Sequence, residues 1–155
     1  MMRSSPNLSL ILTSLLLLAA VCKAENFWWE KMKAVQLNQA NYKNYLGKDK
    51  YVFVEFYSKG CGWCEKLYPT LNTLIEEIDN GTLPRSDIMV AKIDAEEFPL
   101  IAEQLEVDKY PTMYLFKPND MVYPEQYEYS HRLVHIRNYL LTHPVAPKFV
   151  KSILP

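Results

Sequence analysis

The chain has 155 residues, of which 49% are hydrophobic and 23% are charged, and its formal net charge is −1 at pH 7. This length and composition predict one domain with an ordinary packed core. The small net charge and the absence of blocks of like charge exclude the strong field that favours nucleic-acid partners or anionic membranes.

Residues 1–24 predict a secretory signal peptide that is not part of the fold. Arg3 precedes the uncharged apolar run LSLILTSLLLLAAV, and the small residue Ala24 stands before the polar Glu25. The run is shorter than the ~20 residues that a membrane-spanning helix needs, and an uncleaved anchor is the alternative. Cleavage after Ala24 would remove Cys22 and direct the chain to the endoplasmic reticulum lumen or to secretion, where disulfides persist.

After the signal peptide we expect an N-terminal extension over 25–33, one domain over 34–143 and a tail over 144–155. The predicted elements in chain order are strand AVQL, helix NQANYKNYLGK, strand YVFVEFYS, helix GWCEKLYPTLNTLIEEIDNG, strand DIMVAKID, helix EEFPLIAEQLEV, strand YPTMYLF, edge strand VYPEQYEYS and helix HRLVHIRNYLLTH. Alternating strands and helices require parallel pairing, and the last two strands can form a hairpin. The order predicts an α/β fold with a central mixed β-sheet flanked by helices on both faces.

The predictions of two of these helices depend on particular residues. In the first, Asn38 or Asn41 is the expected N-cap and Gly47 takes the helix-end position. In the last, the apolar side chains are spaced to lie on or near one stripe, formed by Leu133, Ile136, Leu140 and Leu141.

Cys61 and Cys64 stand three positions apart, just after the apolar strand YVFVEFY. Cys61 is expected at the N-terminus of the following helix, where free N–H groups and the helix dipole favour a thiolate. Cys64 then lies one turn further on, close enough to form a disulfide. One sulfur can attack a partner's disulfide and the other can resolve the mixed disulfide. A CxxC between a strand and a helix predicts a redox pair.

Two other interpretations of the cysteines stay open. A structural disulfide is one, although a loop this short constrains the unfolded chain very little. A zinc site is the other, and it would need further ligands from His131, His135 and His143, far outside finger-type spacing. We interpret these histidines as solvated residues of the last helix and expect no metal and no cofactor beyond the dithiol.

Glu55 stands in the middle of the otherwise apolar strand YVFVEFY. A carboxylate there costs several kcal/mol unless it is neutral, paired or functional. Burial should raise its pKa, which suits a group that accepts and returns a proton near neutral pH. We expect Glu55 to exchange a proton with Cys64, and an exposed acid on the strand is the alternative.

Asn80, Gly81 and Thr82 form an N-glycosylation acceptor tripeptide, which matters only if the chain enters the secretory pathway. Such tripeptides are common by chance. The sequence alone leaves this site open.

Four segments together resemble a thioredoxin-fold domain, most closely the catalytic domains of the protein disulfide isomerase family. They are VEFYSKGCGWCEKLYPTL, VAKIDAEE, YPTMYLF and YEYSHRLVHIRNYL, in this order along the chain. The resemblance covers nearly all of the chain after the signal peptide. It implies a thioredoxin-like fold and exchange of disulfides with protein substrates.

The resemblance also implies roles for individual residues. Cys61 takes the nucleophile position and Cys64 the resolving position of a redox-active disulfide. Glu55 matches the buried acid of the family, and Arg132 matches an arginine that approaches the site and favours ionisation of the resolving thiol. Pro111 matches the loop proline that is cis in this fold and lies against the sulfurs. We expect substrates to contact the groups around them, namely Gly62, Trp63, Tyr110 and Pro111.

The active-site segment departs from the family pattern in three places. Gly60 replaces the tryptophan that usually precedes the first cysteine, which removes a stacking surface. Gly62 and Trp63 replace the usual Gly-His pair, so no imidazole stabilises the thiolate. Glu65 occupies the usual lysine position, and Lys66 follows one place later. Activity is expected, but its redox poise does not follow from the sequence.

The sequence therefore predicts a monomeric thiol–disulfide oxidoreductase of the secretory pathway. Its expected partners are protein substrates with thiols or disulfides, together with glutathione or a redox partner protein. The alternative is a non-catalytic module that binds clients through Trp63 and the Tyr110–Pro111 surface. A single domain favours simple oxidation or reduction over efficient isomerisation.

Overall fold

The computed structural model describes residues 27–144. The chain divides into two units, Met1–Lys31 and Met32–Pro155. In the first unit, helix α1 spans Trp28–Lys31, within the predicted N-terminal extension. The predicted signal peptide, with Cys22 and Ala24, lies outside the described residues.

The second unit carries one five-stranded mixed sheet, which confirms the predicted fold class. Its elements are β1 (Val35–Leu37), a 3-10 helix (Tyr42–Asn44), β2 (Tyr51–Tyr57), α2 (Gly62–Asp79), β3 (Ile88–Asp94), α3 (Pro99–Gln104), β4 (Thr112–Phe116), β5 (Glu125–Gln126) and α4 (Leu133–Thr142). The strand order is β1-β3-β2-β4-β5. The pairs β1/β3 and β3/β2 are parallel, whereas β4 runs antiparallel to β2 and β5 antiparallel to β4.

Strand β2 lies in the middle of the sheet, and every one of its residues is buried. Successive side chains of a strand point to opposite faces, so β2 contributes to two cores. On one face Phe53 packs in a cluster with residues of α2 and α4, among them Leu71, Leu74 and Ile136. On the other face Val54 packs with α3 residues, among them Ile101 and Ala102. Helices therefore cover both faces of the sheet.

Helix α2 begins at the CxxC segment and runs 18 residues with Pro69 inside it. It ends at Asn80, and Gly81 follows with a φ of +78°. Left-handed backbone after a helix end favours glycine, and the predicted stop at Asn80 and Gly81 is confirmed. None of the helices within residues 27–144 is both long and apolar enough to cross a membrane.

The helix predicted at NQANYKNYLGK is wrong, because the segment forms turns and the single 3-10 turn Tyr42–Asn44. The Asn38 side-chain oxygen accepts hydrogen bonds from the N–H groups of Ala40 (2.9 Å) and Asn41 (3.1 Å). The Asn41 side-chain oxygen in turn accepts from the Asn38 N–H at 2.8 Å. Asparagine side chains that bond nearby backbone in this way compete with the hydrogen-bond ladder of a helix.

The last helix also starts later than predicted. Because α4 begins at Leu133, His131 is not a helix residue, and it does not share a helical turn with His135. Leu141 is 49% exposed, so it does not belong to the buried stripe, whereas Tyr139 does. The predicted edge strand is confirmed at the sheet edge, but it is only the two residues Glu125–Gln126 long.

Candidate active site

Cys61 and Cys64 are joined by a disulfide with an S–S distance of 2.07 Å. Cys61 is the N-cap of α2, and its sulfur accepts a hydrogen bond from the Cys64 N–H at 3.0 Å. Cys64 is buried, and Cys61 is partly exposed. The predicted position of the pair between a strand and a helix is confirmed, and Cys61 is the more exposed of the two cysteines.

The loop between β2 and α2 presents this disulfide. The Cys61 N–H donates to the carbonyl of Ser58 at 3.1 Å, and the Glu65 N–H donates to the carbonyl of Cys61 at 3.1 Å. Gly60 is exposed, and a Cβ added to it would meet no atom within 4 Å. A side chain at position 60 would thus extend into open space.

An ion-pair cluster ties this loop to the end of β3. Lys59 Nζ lies 3.2 Å from Asp94 Oδ2 and 3.1 Å from Glu97 Oε2. The other Asp94 oxygen accepts hydrogen bonds from the N–H groups of Glu96 and Glu97, at 3.2 and 3.1 Å. Asp94 is buried, whereas Lys59 and Glu97 are exposed. No sequence pattern predicted this cluster, although parallel strands that end together do bring such side chains to one sheet edge.

Glu55 is buried in the middle of β2, as the sequence predicts. It shares a strand face with Phe53, the face that α2 covers. Burial raises the pKa of Glu55 to about 8, and the positive charge of Lys92 acts in the opposite direction. Neither carboxyl oxygen has a hydrogen-bond partner among the described residues. Glu55 is therefore largely protonated at neutral pH. It lies beneath α2 and forms no direct hydrogen bond with Cys64.

A groove of about 460 Å³ lies beside the disulfide loop. The Tyr110–Pro111 peptide bond is cis, and both residues line the groove together with Trp63. Trp63 is 68% exposed, and Lys66 Nζ lies 4.4 Å from the centroid of its ring. The structure thus brings together three of the four residues expected to contact substrates.

The groove is also lined by Tyr129, for which no site role was predicted, and by His131, which was considered only as a possible zinc ligand. They come from the connection between β5 and α4, which is distant in sequence from Trp63. The fourth predicted contact, Gly62, is exposed at the first position of α2.

Arg132 is exposed at the N-cap of α4. Its guanidinium forms no hydrogen bond or ion pair with any residue in 27–144, and its approach to the cysteines stays a prediction. His135 is also exposed, on α4 itself. In the described part of the chain, no group of three or more His, Cys, Asp or Glu side chains is placed to hold a metal ion.

This chain is similar to known proteins in sequence and in fold. Residues 33–141 match the model of the thioredoxin family. A protein disulfide-isomerase of Oryctolagus cuniculus is 32% identical over 111 residues, which cover 72% of this chain and 21% of that protein. A thioredoxin-like protein of Synechocystis is 36% identical over 91 residues, which cover 58% of this chain and 81% of that protein. Human ERp44 form II aligns with a TM-score of 0.62 at 21% identity, covering 71% of this chain and 30% of that one.

The chain spans less than a third of the length of the disulfide isomerases that it matches. The family match, however, covers most of this chain and contains both cysteines, Glu55 and Pro111. The solved structure of low identity agrees with the same fold. The protein is a member of the thioredoxin family.

Proposed function

We propose that this protein is a thiol–disulfide oxidoreductase of the secretory pathway that exchanges disulfides with protein substrates. One observation carries the proposal: the Cys61–Cys64 disulfide opens the first turn of α2 with Cys61 partly exposed and Cys64 buried. Relatives named protein disulfide-isomerase, at 32% identity for the rabbit protein, support this activity.

The exchange follows from the different exposure of the two sulfurs. A thiolate of the client attacks Cys61 Sγ, the Cys61–Cys64 bond breaks, and Cys64 leaves as a thiolate. A second client thiolate then attacks the client sulfur of the mixed disulfide, and Cys61 leaves as a thiolate. The client dithiol loses two electrons and becomes a disulfide, while the protein becomes a dithiol. The same steps in reverse reduce a client disulfide.

The helix N-terminus makes Cys61 the better leaving group. In the oxidised protein its sulfur already accepts the Cys64 N–H, and the first turn of α2 directs further N–H groups to the same side. Hydrogen bonds and the positive end of the helix dipole stabilise a thiolate at this position. No imidazole assists, because Trp63 occupies the place between the cysteines.

Glu55 supplies and removes the proton of Cys64. A buried Cys64 thiolate is costly, so a nearby proton donor lowers that cost when the disulfide opens. A pKa of about 8 leaves Glu55 largely protonated at neutral pH and able to act as that donor. Since Glu55 and Cys64 form no hydrogen bond in the oxidised state, the proton passes through a bridging water or after a side-chain shift.

Client segments bind in the groove beside Trp63, Tyr110 and Pro111. An exposed indole offers apolar contact to unfolded chains, and proline leaves no N–H of its own to compete for the client backbone. Gly62, at the start of α2, lets the client approach Cys61 closely. Arg132, exposed at the N-cap of α4, favours ionisation of the Cys64 thiol.

The remaining parts of the proposal concern the setting of the reaction. We place the protein in the endoplasmic reticulum lumen or outside the cell, because residues 1–24 fit a signal peptide. Glutathione or a redox partner protein renews the dithiol or the disulfide. The protein acts as a monomer and without a cofactor other than its own cysteines.

The reduction potential of the Cys61–Cys64 couple tests the activity and its direction. The purified protein is equilibrated with glutathione buffers, and the oxidised fraction is measured by alkylation and mass spectrometry. A value near about −180 mV indicates an oxidase or isomerase, and one near about −270 mV indicates a reductase. A couple below about −300 mV contradicts the proposal, because it describes a structural disulfide.

Cysteine variants provide the matched test of turnover. Cys61→Ser is expected to abolish insulin reduction, whereas Cys64→Ser is expected to accumulate mixed disulfides with clients because the resolving sulfur is gone. Insulin reduction that persists in Cys61→Ser would show that the assignment is wrong. Client binding that is unchanged in the double variant, with no turnover in the wild type, would instead indicate a client-binding module.

A further inference from the structure

We propose that Asn80 is a site of N-linked glycosylation, and this inference rests on the secretory location within the proposed function. Asn80, Gly81 and Thr82 satisfy the acceptor pattern for a glycan transferred to asparagine. All three residues are exposed, at the end of α2. An oligosaccharide on Asn80 therefore extends into solvent without displacing any part of the core.

The reacting groups of the tripeptide are free. The Asn80 side-chain oxygen accepts the Thr82 N–H at 2.9 Å, which folds the tripeptide into a turn and brings Thr82 beside the amide. Neither the Asn80 side-chain nitrogen nor the Thr82 hydroxyl forms a hydrogen bond with any residue in 27–144. The nitrogen that receives the sugar and the hydroxyl that the acceptor pattern requires are both available.

The turn is also held in place by the backbone around it. Gly81 adopts a φ of +78°, and the Leu83 N–H donates to the Glu77 carbonyl at 2.8 Å. Leu83 is buried, whereas the tripeptide before it is not. The folded protein thus presents Asn80 on a fixed, outward turn that tolerates a bulky substituent.

The chemistry needs one co-reactant, an oligosaccharide linked through a diphosphate to a membrane polyprenol. The Asn80 amide nitrogen attacks the first sugar carbon, and a C–N bond forms while the C–O bond to the diphosphate breaks. The polyprenyl diphosphate leaves, and the amide proton passes to a base of the transferase. No electrons are transferred, so the reaction does not depend on whether Cys61 and Cys64 are oxidised or reduced.

The glycan and the disulfide lie at opposite ends of the same helix. Cys61 caps the N-terminus of α2 and Asn80 caps its C-terminus, with the 18 residues of the helix between them. At 1.5 Å per residue the two ends are about 27 Å apart. We therefore expect glycosylation to leave insulin reduction unchanged, and the modified face to be one that clients do not use.

The test is translation of the full chain in the presence of rough microsomes, followed by protease treatment and by digestion with peptide-N-glycosidase F. The expected result is a protease-protected chain whose electrophoretic mobility increases after glycosidase digestion. Thr82→Ala and Asn80→Gln should each abolish that shift, whereas Thr82→Ser, which keeps the hydroxyl, should retain it. A known glycoprotein translated in parallel shows that the microsomes are active.

The outcomes separate this inference from the function it rests on. A chain that is protease-protected but unshifted overturns glycosylation of Asn80 and leaves the secretory location intact. A chain that is not protected overturns the secretory location, and the glycan with it, while the potential of the Cys61–Cys64 couple still tests the redox activity. A shift that survives Asn80→Gln overturns the assignment to Asn80.

Discussion

Glu55 and Lys92 occupy partnered positions on the adjacent parallel strands β2 and β3, and both side chains are buried. Lys92 Nζ donates to the carbonyl of Met32 at 3.0 Å, whereas the Glu55 carboxyl accepts no hydrogen bond from the described residues. Loss of hydration thus outweighs the charge of Lys92, and the pKa of Glu55 rises to about 8. The protonated form of Glu55 is the one that the fold favours.

This relationship predicts how the stability of the oxidised protein varies with pH. Between the ordinary value of 4.5 and about 8, the folded state keeps the Glu55 proton that the unfolded state has lost. The contribution of that proton to the free energy of unfolding is fully present below pH 4.5. It is lost as the pH rises through about 8. The free energy of unfolding should fall by on the order of a few kcal/mol across this range. Urea denaturation at a series of pH values measures it.

Glu55→Gln is the matched control for that experiment, since a neutral amide of the same shape cannot titrate. The variant should lose most of the decline in stability and should be more stable than the wild type at alkaline pH. It should also slow the step that releases Cys64. If stability declined equally with pH in the wild type and in Glu55→Gln, groups other than Glu55 would cause the decline.

Lys59→Met should loosen the loop that carries the disulfide. The variant removes the cation that bridges Asp94 and Glu97, and it leaves the buried Asp94 carboxylate with one oxygen unpaired. Removing one partner of a buried charge is destabilising, although the exposure of Lys59 to solvent weakens the effect. Urea denaturation and hydrogen exchange of the β2–α2 loop measure the change. Lys59→Arg should restore the loop, and unchanged exchange in Lys59→Met would refute its anchoring role.

The ion pair between Glu77 and Arg137 should contribute to the packing of α2 against α4. Arg137 Nε donates to Glu77 Oε2 at 2.6 Å, and a second guanidinium nitrogen bonds the other oxygen. The Glu77 and Arg137 side chains are 11% and 37% exposed, so Arg137→Met should destabilise the protein less than the loss of one partner from a fully buried pair would. A double-mutant cycle with Glu77→Gln gives the coupling energy. A coupling near zero would mean that apolar contacts alone hold the two helices.

Replacing Gly47 and replacing Gly60 by alanine should change the stability of the protein in opposite directions. Gly47 has a φ of +64°, and its Cβ would lie 2.9 Å from the Met121 Cβ. Gly47→Ala should therefore destabilise the protein by about 1–3 kcal/mol. Gly60 has open space around it and no left-handed backbone, so Gly60→Ala should stabilise by about 0.4–1 kcal/mol through the unfolded state. Similar urea midpoints for both variants would contradict this account.

The parts of the fold that were predictable from sequence depend on local patterns. The apolar run of β2 and the helical spacing of α2 are long and unbroken, and CxxC fixes the relative positions of Cys61 and Cys64. Glu55 was identifiable because a carboxylate in an apolar strand stands out. The failed helix at residues 38–47 shows the limit, since Asn38 and Asn41 satisfy the backbone through their own side chains.

No local sequence pattern predicts the groove or the ion-pair cluster. Trp63 and His131 meet in one groove although they belong to segments far apart in the chain. Lys59 meets Asp94 because β2 and β3 are parallel and end at the same level, with Tyr57 opposite Asp94. The register of two strands decides such contacts, and residue spacing within one segment does not reveal it.

The unequal exposure of Cys61 and Cys64 sets the kinetic order of the proposed reaction. A client collides with one sulfur only, so the formation of the mixed disulfide depends on client concentration. Cys64 is part of the same helix turn, and its attack on that intermediate is intramolecular at high effective concentration. The lifetime of a trapped client is therefore a fixed property of the domain, the same in dilute and in crowded solutions of client. A client that the protein cannot oxidise or reduce therefore stays in the mixed disulfide for a constant time before it is released.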